Sequence, residues 1–246
     1  MKSFLSAIHD RAVVIHDRKR EDRKASLDSW MALHTVQIPL MQAIMNKSDG
    51  KRGCFESHKL VASSFADSPL QDYYLVLEDD CLPTRNWNNE ELVTSVISVV
   101  KEKSVDLLYL GGLPLFGHRT TKHKYVNSGR CLQTHALLVS PRAAKHIKHL
   151  FYEKHPIDTV LSQTSILRSA FVDPPLFAQS DTKSDIRTNV AQAKWFSAGM
   201  ASWIPTIWRH VVMNEIAYAS LASIVILIVV FYCMRAALRA VKNKSG

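Results

Sequence analysis

Short runs of consecutive apolar residues recur along the first 180 positions of the chain, each bounded by polar or turn-forming residues. Such runs predict buried strands, because a strand that is covered on both faces of a sheet has no polar side to alternate with. In the second run, Pro39 lacks an amide donor and favours the edge of the sheet. The predicted strands are 11–17, 36–44, 73–80, 106–112, 131–140 and 170–181, the last including a loop.

Between these runs, apolar residues recur at three- and four-residue spacing, which predicts amphipathic helices. The predicted helices are 19–35, 54–67, 89–103, 140–154 and a short one in 156–165. Ser140 and Pro141 suit the cap and the first turn of the fourth helix. The basic stretch 117–130 is predicted to be a long loop. Alternating strands and helices predict an α/β fold with helices packed around a mostly parallel sheet.

A different pattern fills the end of the chain, where residues 216–234 contain no charged side chain. Nineteen helical residues span about 28 Å, close to the hydrocarbon thickness of a bilayer, so the segment predicts a single transmembrane helix. A buried core helix is the alternative. Residues 188–215, with Trp195, Trp203 and Trp208, form the predicted juxtamembrane connector, and 235–246 form a basic tail.

The orientation of this predicted anchor rests on two opposing signals. The basic tail favours a cytoplasmic C-terminus. The N-terminal segment, interrupted by Asp10 and Arg11, has no apolar stretch of signal-peptide length, which would leave the large domain in the cytosol. We expect a membrane protein whose domain faces the cytosol, because flanking charge governs long domains poorly.

Charge and cysteine content narrow the function classes. The net charge is +9, but four basic residues belong to the tail, which leaves 27 basic and 22 acidic side chains in residues 1–234. This balance suits an anionic small substrate and is too weak and dispersed to indicate nucleic-acid binding. Four cysteines without a C-x-x-C spacing predict reduced thiols rather than a disulfide framework.

Three consecutive acids, Glu78, Asp79 and Asp80, follow the apolar run 73–77 directly. Ligands of open α/β sheets bind beyond the carboxyl ends of the strands. Carboxylates in that position can hold a hard cation such as Mg²⁺ or Mn²⁺, which would neutralise a diphosphate. Alternatively, one acid caps the next element and the others face solvent.

Several stretches together resemble glycosyltransferase family 25, the group of lipopolysaccharide-type sugar transferases and collagen galactosyltransferases. The stretches occur in the family's order within residues 12–187, inside a predicted catalytic domain of residues 1–187. They are VVIHDRKREDR (13–23), GCFESH (53–58), LVLEDDCLP (75–83), THALLVSPRAAKHI (134–147), PIDTVL (156–161) and PPLFAQSDTKSDI (174–186).

The resemblance implies a GT-A type, Rossmann-like fold, a nucleotide-diphosphate sugar donor, with UDP-hexose expected, and a divalent metal. It implies that Asp80 is the first metal ligand, with Glu78 as a second ligand, and that Asp79 or Glu78 contacts the donor. Further donor contacts are implied for Arg18, Arg23 and His58. A charged helix face is the alternative for the two arginines, and a structural role is the alternative for His58.

Sugar transfer to a hydroxyl also requires a base, and the family usually inverts the anomeric centre. Asp158 is the first candidate for that base and Asp185 the second, with helix capping as the alternative for Asp158. His16 and Asp17 depart from the Asn-Leu pair common in the family. A membrane span is not a feature of the family's core.

The sequence therefore predicts a membrane-anchored, metal-dependent hexosyltransferase that acts on a glycan, lipid-linked sugar or protein hydroxyl. A non-catalytic module that binds a glycan or nucleotide sugar is the alternative. A phosphoryl-transfer or nuclease activity would use the same acids, but the chain has no G-x-x-x-x-G-K-[ST] motif.

Overall fold

The structure, a computed structural model, describes residues 11–68, 72–119 and 122–180. The helices are α1 (Glu21–Leu33), α2 (Gly50–Ala66), α3 (Glu90–Glu102), α4 (Pro141–Lys148) and α5 (Ile157–Gln163). The strands are β1 (Ala12–His16), β2 (Leu40–Gln42), β3 (Tyr74–Glu78), β4 (Cys81–Pro83), β5 (Leu107–Tyr109), β6 (Leu113–Arg119), β7 (Val126–Leu132), β8 (Ala136–Val139), β9 (Ser169–Val172) and β10 (Phe177–Gln179).

Eight strands form one mixed sheet in the order β2-β1-β3-β8-β5-β9-β7-β6, and β4 pairs with β10 in a small second sheet. Strand β1 is parallel to both β2 and β3, and β5 is parallel to β9. Strands β8 and β7 are antiparallel to both of their neighbours. The α/β class and the common direction of most strands are thus confirmed, whereas β7 and β8 run against the predicted parallel order.

Both faces of the sheet are buried, as the continuous apolar runs predict. On one face, Leu75 and Leu77 of β3 pack in a cluster with Leu27 and Trp30 of α1 and with residues of α3. On the other face, Tyr74 and Val76 pack in a cluster with residues of α2, α4 and α5. Successive side chains of a strand point to opposite faces, so one apolar run supplies both cores.

The prediction of a loop over the whole of 117–130 is wrong, because residues 117–119 and 126–130 belong to the antiparallel pair β6 and β7, while 122–125 lie outside the strands. This pair lies at the sheet edge, where polar side chains are tolerated, so apolar periodicity does not reveal it. Gly117 faces Gly129 across the pair, and a Cβ on Gly117 would lie 2.5 Å from Cε1 of Phe171. The glycines therefore admit the phenylalanine ring against the backbone.

The predicted helix 140–154 ends at Lys148. Its buried stripe consists of Ala143, Ala144 and Ile147, while Phe151 beyond it is 79% exposed. Leu150 and Tyr152 beyond the helix still pack against the buried cluster of this face, so the chain keeps its contact with the core without a further helical turn.

Within the described residues, no helix is long and apolar enough to cross a bilayer. The predicted connector 188–215, transmembrane helix 216–234 and tail 235–246 lie outside those residues, as does 181–187 of the predicted catalytic domain.

Candidate active site

The carboxyl ends of the parallel strands β1 and β3 lie side by side and form one edge of the sheet, which runs across the strand ends and is separate from the edge strand β6. The three acids lie at this edge of strand ends. Because β8 runs antiparallel to β3, the residues that precede β8 reach the same edge. The amide of Glu78 donates to the carbonyl oxygen of His135 at 2.9 Å, which joins the two segments just beyond their paired residues. The sheet topology thus brings residues 78–80 beside 133–135.

Glu78 ends β3 and accepts two side-chain hydrogen bonds at Oε1. His58 Nε2 on α2 lies 3.1 Å away and Thr134 Oγ1 lies 2.8 Å away. Burial alone would raise the pKa of Glu78, but the hydrogen bonds from His58 and Thr134 and the charge of His58 lower it to about 2. Glu78 is therefore an ionised carboxylate at neutral pH.

Asp79 points towards α1 and is buried among three donors. His16 Nδ1 and the amide of Asp17 lie 3.0 Å from its Oδ2, and Arg23 Nη1 donates to its Oδ1 at 2.5 Å. Arg23 is itself a buried residue of α1. The departure from the family pattern at His16 and Asp17 therefore coincides with contacts inside the protein, and Asp79 ties the end of β1, the start of α1 and the end of β3 together.

Asp80 is buried with a different set of neighbours. Gln179 Nε2 donates to its Oδ2 at 3.0 Å, and Arg23 Nη2 lies 3.6 Å from the same oxygen. Its Oδ1 is buried and has no hydrogen-bond partner among the described residues. Burial and the charge of Glu78 raise the pKa of Asp80 to about 6. A buried carboxylate oxygen without a donor is costly and suits a cation.

Asp158 lies in the first turn of α5 and is half-buried. Its Oδ2 accepts from the amide of Gln133 at 3.1 Å and its Oδ1 accepts from the amide of Thr159 at 2.7 Å. The side-chain amide of Gln133 donates to Oε1 of Gln179 at 3.3 Å, and Gln179 donates to Asp80. A continuous chain of hydrogen bonds therefore runs from Asp158 to Asp80.

The other predicted site residues differ in their placement. Arg18 is exposed in the turn between β1 and α1, whereas His58 is buried on α2 beside Glu78. Asp185 lies outside the described residues.

The fold adds Gln133, Thr134 and Gln179 to the site, and none of these was predicted from the sequence. Gln133 has a left-handed backbone, with φ of 68°, at the connection between β7 and β8. Thr134 and Gln179 occur in two of the stretches that carry the family resemblance. Gln133 and Thr134 fall inside the predicted strand 131–140, which the structure divides between β7 and β8, and Gln179 falls inside the predicted stretch 170–181, so no local signal singled them out.

Gly111, just after β5, allows a close approach at the same edge. A Cβ there would overlap the ring of His135 and lie 2.7 Å from the carbonyl oxygen of Phe177. Gly112 follows with φ of +98°, a conformation that favours glycine. The glycine pair therefore lets His135 and the start of β10 lie against the end of β5.

Cys54, His58 and Glu78 form a compact cluster beneath this edge. Cys54 and His58 are four residues apart on α2, so they share one face of the helix. One potential ligand atom from each of the three residues lies within 4.8 Å of the other two. Burial raises the pKa of the Cys54 thiol strongly, and the charge of Glu78 adds to this effect.

No protein-family model matches the chain, and no curated protein matches it. Membership of glycosyltransferase family 25 therefore stays a prediction.

Several solved structures resemble the chain in part. A glycosyltransferase involved in the glycosylation of the major capsid of PBCV-1 is 10% identical, with a TM-score of 0.44 over 70% of this chain and 94% of that one. A UDP-glucose pyrophosphorylase complexed with UDP-glucose is 8% identical, with a TM-score of 0.37 over 67% of each chain. A mannose-1-phosphate geranyltransferase from Thermus thermophilus is 11% identical, with a TM-score of 0.37 over 69% of this chain and 61% of that one. Because all three TM-scores are below 0.5, no inference about the reaction rests on them.

Proposed function

We propose that the chain is a metal-dependent glycosyltransferase that moves a hexose from a nucleotide-diphosphate donor, with UDP-hexose as the expected donor, to a hydroxyl acceptor. The acceptor would be a glycan, a lipid-linked sugar or a protein, and the transfer would invert the anomeric centre. The observation that carries the proposal is the buried Oδ1 of Asp80, which accepts no hydrogen bond from the described residues. This oxygen lies at the carboxyl ends of the strands, where α/β sheets bind ligands.

The oxygen ligands at the carboxyl ends of these strands fit a hard divalent cation. Asp80 and Glu78 supply carboxylate oxygens, which are the ligands that Mg²⁺ and Mn²⁺ prefer. The hydrogen bond from Gln179 orients Asp80, and those from His58 and Thr134 orient Glu78. When bound, the ion would act as a Lewis acid that stabilises the departing diphosphate.

Donor binding is proposed for the residues around the end of β1. Arg18 is exposed in the turn after β1 and is free to meet a phosphate or a base. Arg23 and Asp79 are buried and hydrogen-bonded to each other, so we propose that they hold the donor-binding turn in position from beneath it. His58 would act through its hydrogen bond to Glu78.

Asp158 is the proposed base, with Asp185 as the second candidate. Oδ2 of Asp158 accepts one backbone hydrogen bond and keeps acceptor capacity for the acceptor hydroxyl, whereas Oδ1 accepts from both the amide and the hydroxyl of Thr159. The hydrogen-bond chain through Gln133 and Gln179 would hold this carboxylate at a set position relative to Asp80. Asp158 would then take the hydroxyl proton as the oxygen attacks the anomeric carbon.

We also propose that residues 216–234 anchor the domain to a membrane, with residues 188–215 as the connector and the domain facing the cytosol. The support comes from the sequence alone: nineteen residues without a charge and the basic tail that follows.

One experiment tests the transferase proposal directly. The purified full-length chain is incubated with a panel of nucleotide sugars, with Mn²⁺, Mg²⁺ or a chelator, and released nucleoside diphosphate is measured. We expect metal-dependent release from one donor class and no release with the chelator. Absence of both release and binding across the panel would overturn the proposal.

A non-catalytic nucleotide-sugar-binding module is the second candidate. The enclosure of Asp79 by His16, the Asp17 amide and Arg23 favours it, because these contacts occupy one of the three acids inside the protein. In the same experiment, calorimetric binding of a nucleotide sugar without diphosphate release, with and without glycan acceptors, would identify such a module.

A further inference from the structure

We infer that Cys54, His58 and Glu78 form a binding site for Zn²⁺ or a similar borderline-soft transition-metal ion. This site lies next to the hard-cation site proposed at Asp80, but it has sulfur and nitrogen ligands besides the carboxylate. The two sites share Glu78, and the inference does not depend on the transferase activity.

The positions of the three side chains support this assignment. Cys54 and His58 lie one turn apart on the same face of α2, and Glu78 ends the strand that α2 packs against. Their candidate ligand atoms all lie within 4.8 Å of one another, and His58 Nε2 is 3.1 Å from Glu78 Oε1. Ligand atoms about 2.0–2.3 Å from a tetrahedral zinc are roughly 3.3–3.5 Å apart, so small side-chain rotations would complete the site.

The donor types select the class of ion. A thiolate, an imidazole and a carboxylate are the ligands that Zn²⁺ binds, and three protein ligands leave the fourth position open for water or a ligand oxygen. Mg²⁺ and Ca²⁺ prefer oxygen ligands, so a sulfur and a nitrogen among three donors disfavour both. Binding would release the Cys54 thiol proton to solvent, and His58 would bind as the neutral ring with its proton on Nδ1 and with Nε2 facing the ion.

The surroundings hold these ligands in place. Thr134 Oγ1 donates to Glu78 Oε1 at 2.8 Å, which orients the carboxylate in the way that outer-shell partners orient zinc ligands. The start of α2 is capped by Asp49, which accepts from the amides of Lys51 and Arg52. Ser57 Oγ bridges the carbonyl oxygen of Gly53 and the amide of Ile44, each at 2.8 Å. The helix that supplies two of the ligands is therefore fixed at its N-terminal half.

Cobalt tests the site without any activity measurement. Chelator-treated full-length protein is titrated with Co²⁺, and the sulfur-to-cobalt charge-transfer absorption and the visible bands of tetrahedral cobalt are recorded. We expect one Co²⁺ per chain with both features, and we expect Zn²⁺ to displace it. Cys54→Ser should lose the charge-transfer band, and His58→Gln should weaken binding at least about tenfold, since loss of an outer-shell partner alone costs that much.

Two controls separate this site from other thiols and from the transferase proposal. Cys131→Ala removes a buried cysteine of β7 and should leave the cobalt spectrum unchanged. Asp80→Asn should also keep the spectrum, although it should lose metal-dependent diphosphate release. Loss of the spectrum in Cys131→Ala, an unchanged band in Cys54→Ser, or absence of the band in the wild type would overturn the inference.

A second measurement avoids variants, in case Cys54→Ser or His58→Gln does not fold. Cys54 is half-buried, whereas Cys81 and Cys131 are buried. Alkylation of Cys54 in the native wild-type protein is followed by peptide mass spectrometry. We expect Zn²⁺ to slow the alkylation and Mg²⁺ to have no effect; an unchanged rate with Zn²⁺ would overturn the assignment.

Discussion

Arg23 donates a hydrogen bond of 2.5 Å to Asp79, and both side chains are buried between α1 and the end of β3. The pair joins the first helix to the strand edge on which the candidate active site is built. His16 and the amide of Asp17 bind the other oxygen of Asp79, so the carboxylate is enclosed by the protein. The neighbouring Asp80, one residue further along, keeps an oxygen without a donor among the described residues.

We expect substitutions of Arg23 and Asp79 to have strongly coupled effects on the free energy of unfolding. Arg23→Met or Asp79→Asn alone removes one half of a buried charged pair and should cost about 3–5 kcal/mol of unfolding free energy. The double variant should cost clearly less than the sum of the two, measured by urea denaturation. Costs that add within about 0.5 kcal/mol would contradict a direct interaction.

Asp80→Asn should abolish metal-dependent diphosphate release and keep the metal-free fold. Because burial and Glu78 raise the pKa of Asp80 to about 6, the stability this group contributes is present below its ordinary value of 3.8 and is lost as pH rises through 6. The variant should therefore melt no lower than the wild type at pH 8. Asp28→Asn, on the exposed face of α1, is the matched control and should retain activity. Wild-type turnover in Asp80→Asn would contradict the proposed metal site.

Asp158→Asn removes the basic carboxylate and keeps one oxygen, which can accept from only one of the two backbone amides, so kcat and stability must be measured together. If Asp158 is the base, kcat should fall by about 10²–10⁴ with little change in KM for the donor. The acidic limb of the pH–rate profile should change at the same time. A lowered melting temperature with kcat within tenfold of the wild type would assign Asp158 to holding α5 against Gln133, and would direct attention to Asp185.

Away from the candidate site, the contacts of Asp106 predict that the fold loses stability at low pH. Asp106 accepts from the amide of Arg168 at 2.8 Å and from Arg142 Nη1 at 3.2 Å. Burial alone would raise the pKa of Asp106, but the hydrogen bonds from Arg168 outweigh it and lower the pKa below its ordinary value of 3.8. A lowered pKa contributes stability above pH 3.8 that is lost as pH falls through the folded value.

Asp106→Asn should therefore cost about 1.5–3 kcal/mol at pH 7, the range for hydrogen bonds to charged groups. It should also flatten the loss of stability below pH 4, measured by urea denaturation across the pH range. The same pH dependence in Asp106→Asn and wild type would show that other carboxylates dominate acid unfolding.

The proposed anchor predicts the behaviour of a truncated chain. Removal of residues 213–246 should release a soluble domain that still binds the donor, measured by membrane pelleting and calorimetry. The full-length chain should pellet with membranes and resist extraction with salt. A truncated chain that still pellets, or a full-length chain that stays in solution, would contradict a transmembrane anchor.

Local sequence patterns were sufficient to predict the layers of the fold. The apolar run of β3 predicted a strand buried on both faces, and the structure confirms it because Leu75 and Tyr74 enter opposite cores. The three acids were correctly expected at a strand end, since polar residues that follow a buried run must leave the core. The β6–β7 pair was missed, because a polar strand at a sheet edge is stabilised by backbone pairing and leaves little trace in hydropathy.

The sequence by itself determined the α/β class, the main strands and helices, and a small group of acids with the chemistry to bind a cation. The family resemblance implied Asp80 rather than Asp79 as the metal ligand, but the two acids are adjacent and their local context offers no physical reason for that choice. Only the tertiary structure decided that Asp79 is enclosed by Arg23 and His16, and that Asp80 meets Gln179 from a distant segment. The physical reason is that side-chain periodicity is a local property, whereas the environment of a carboxylate depends on residues far away in the chain.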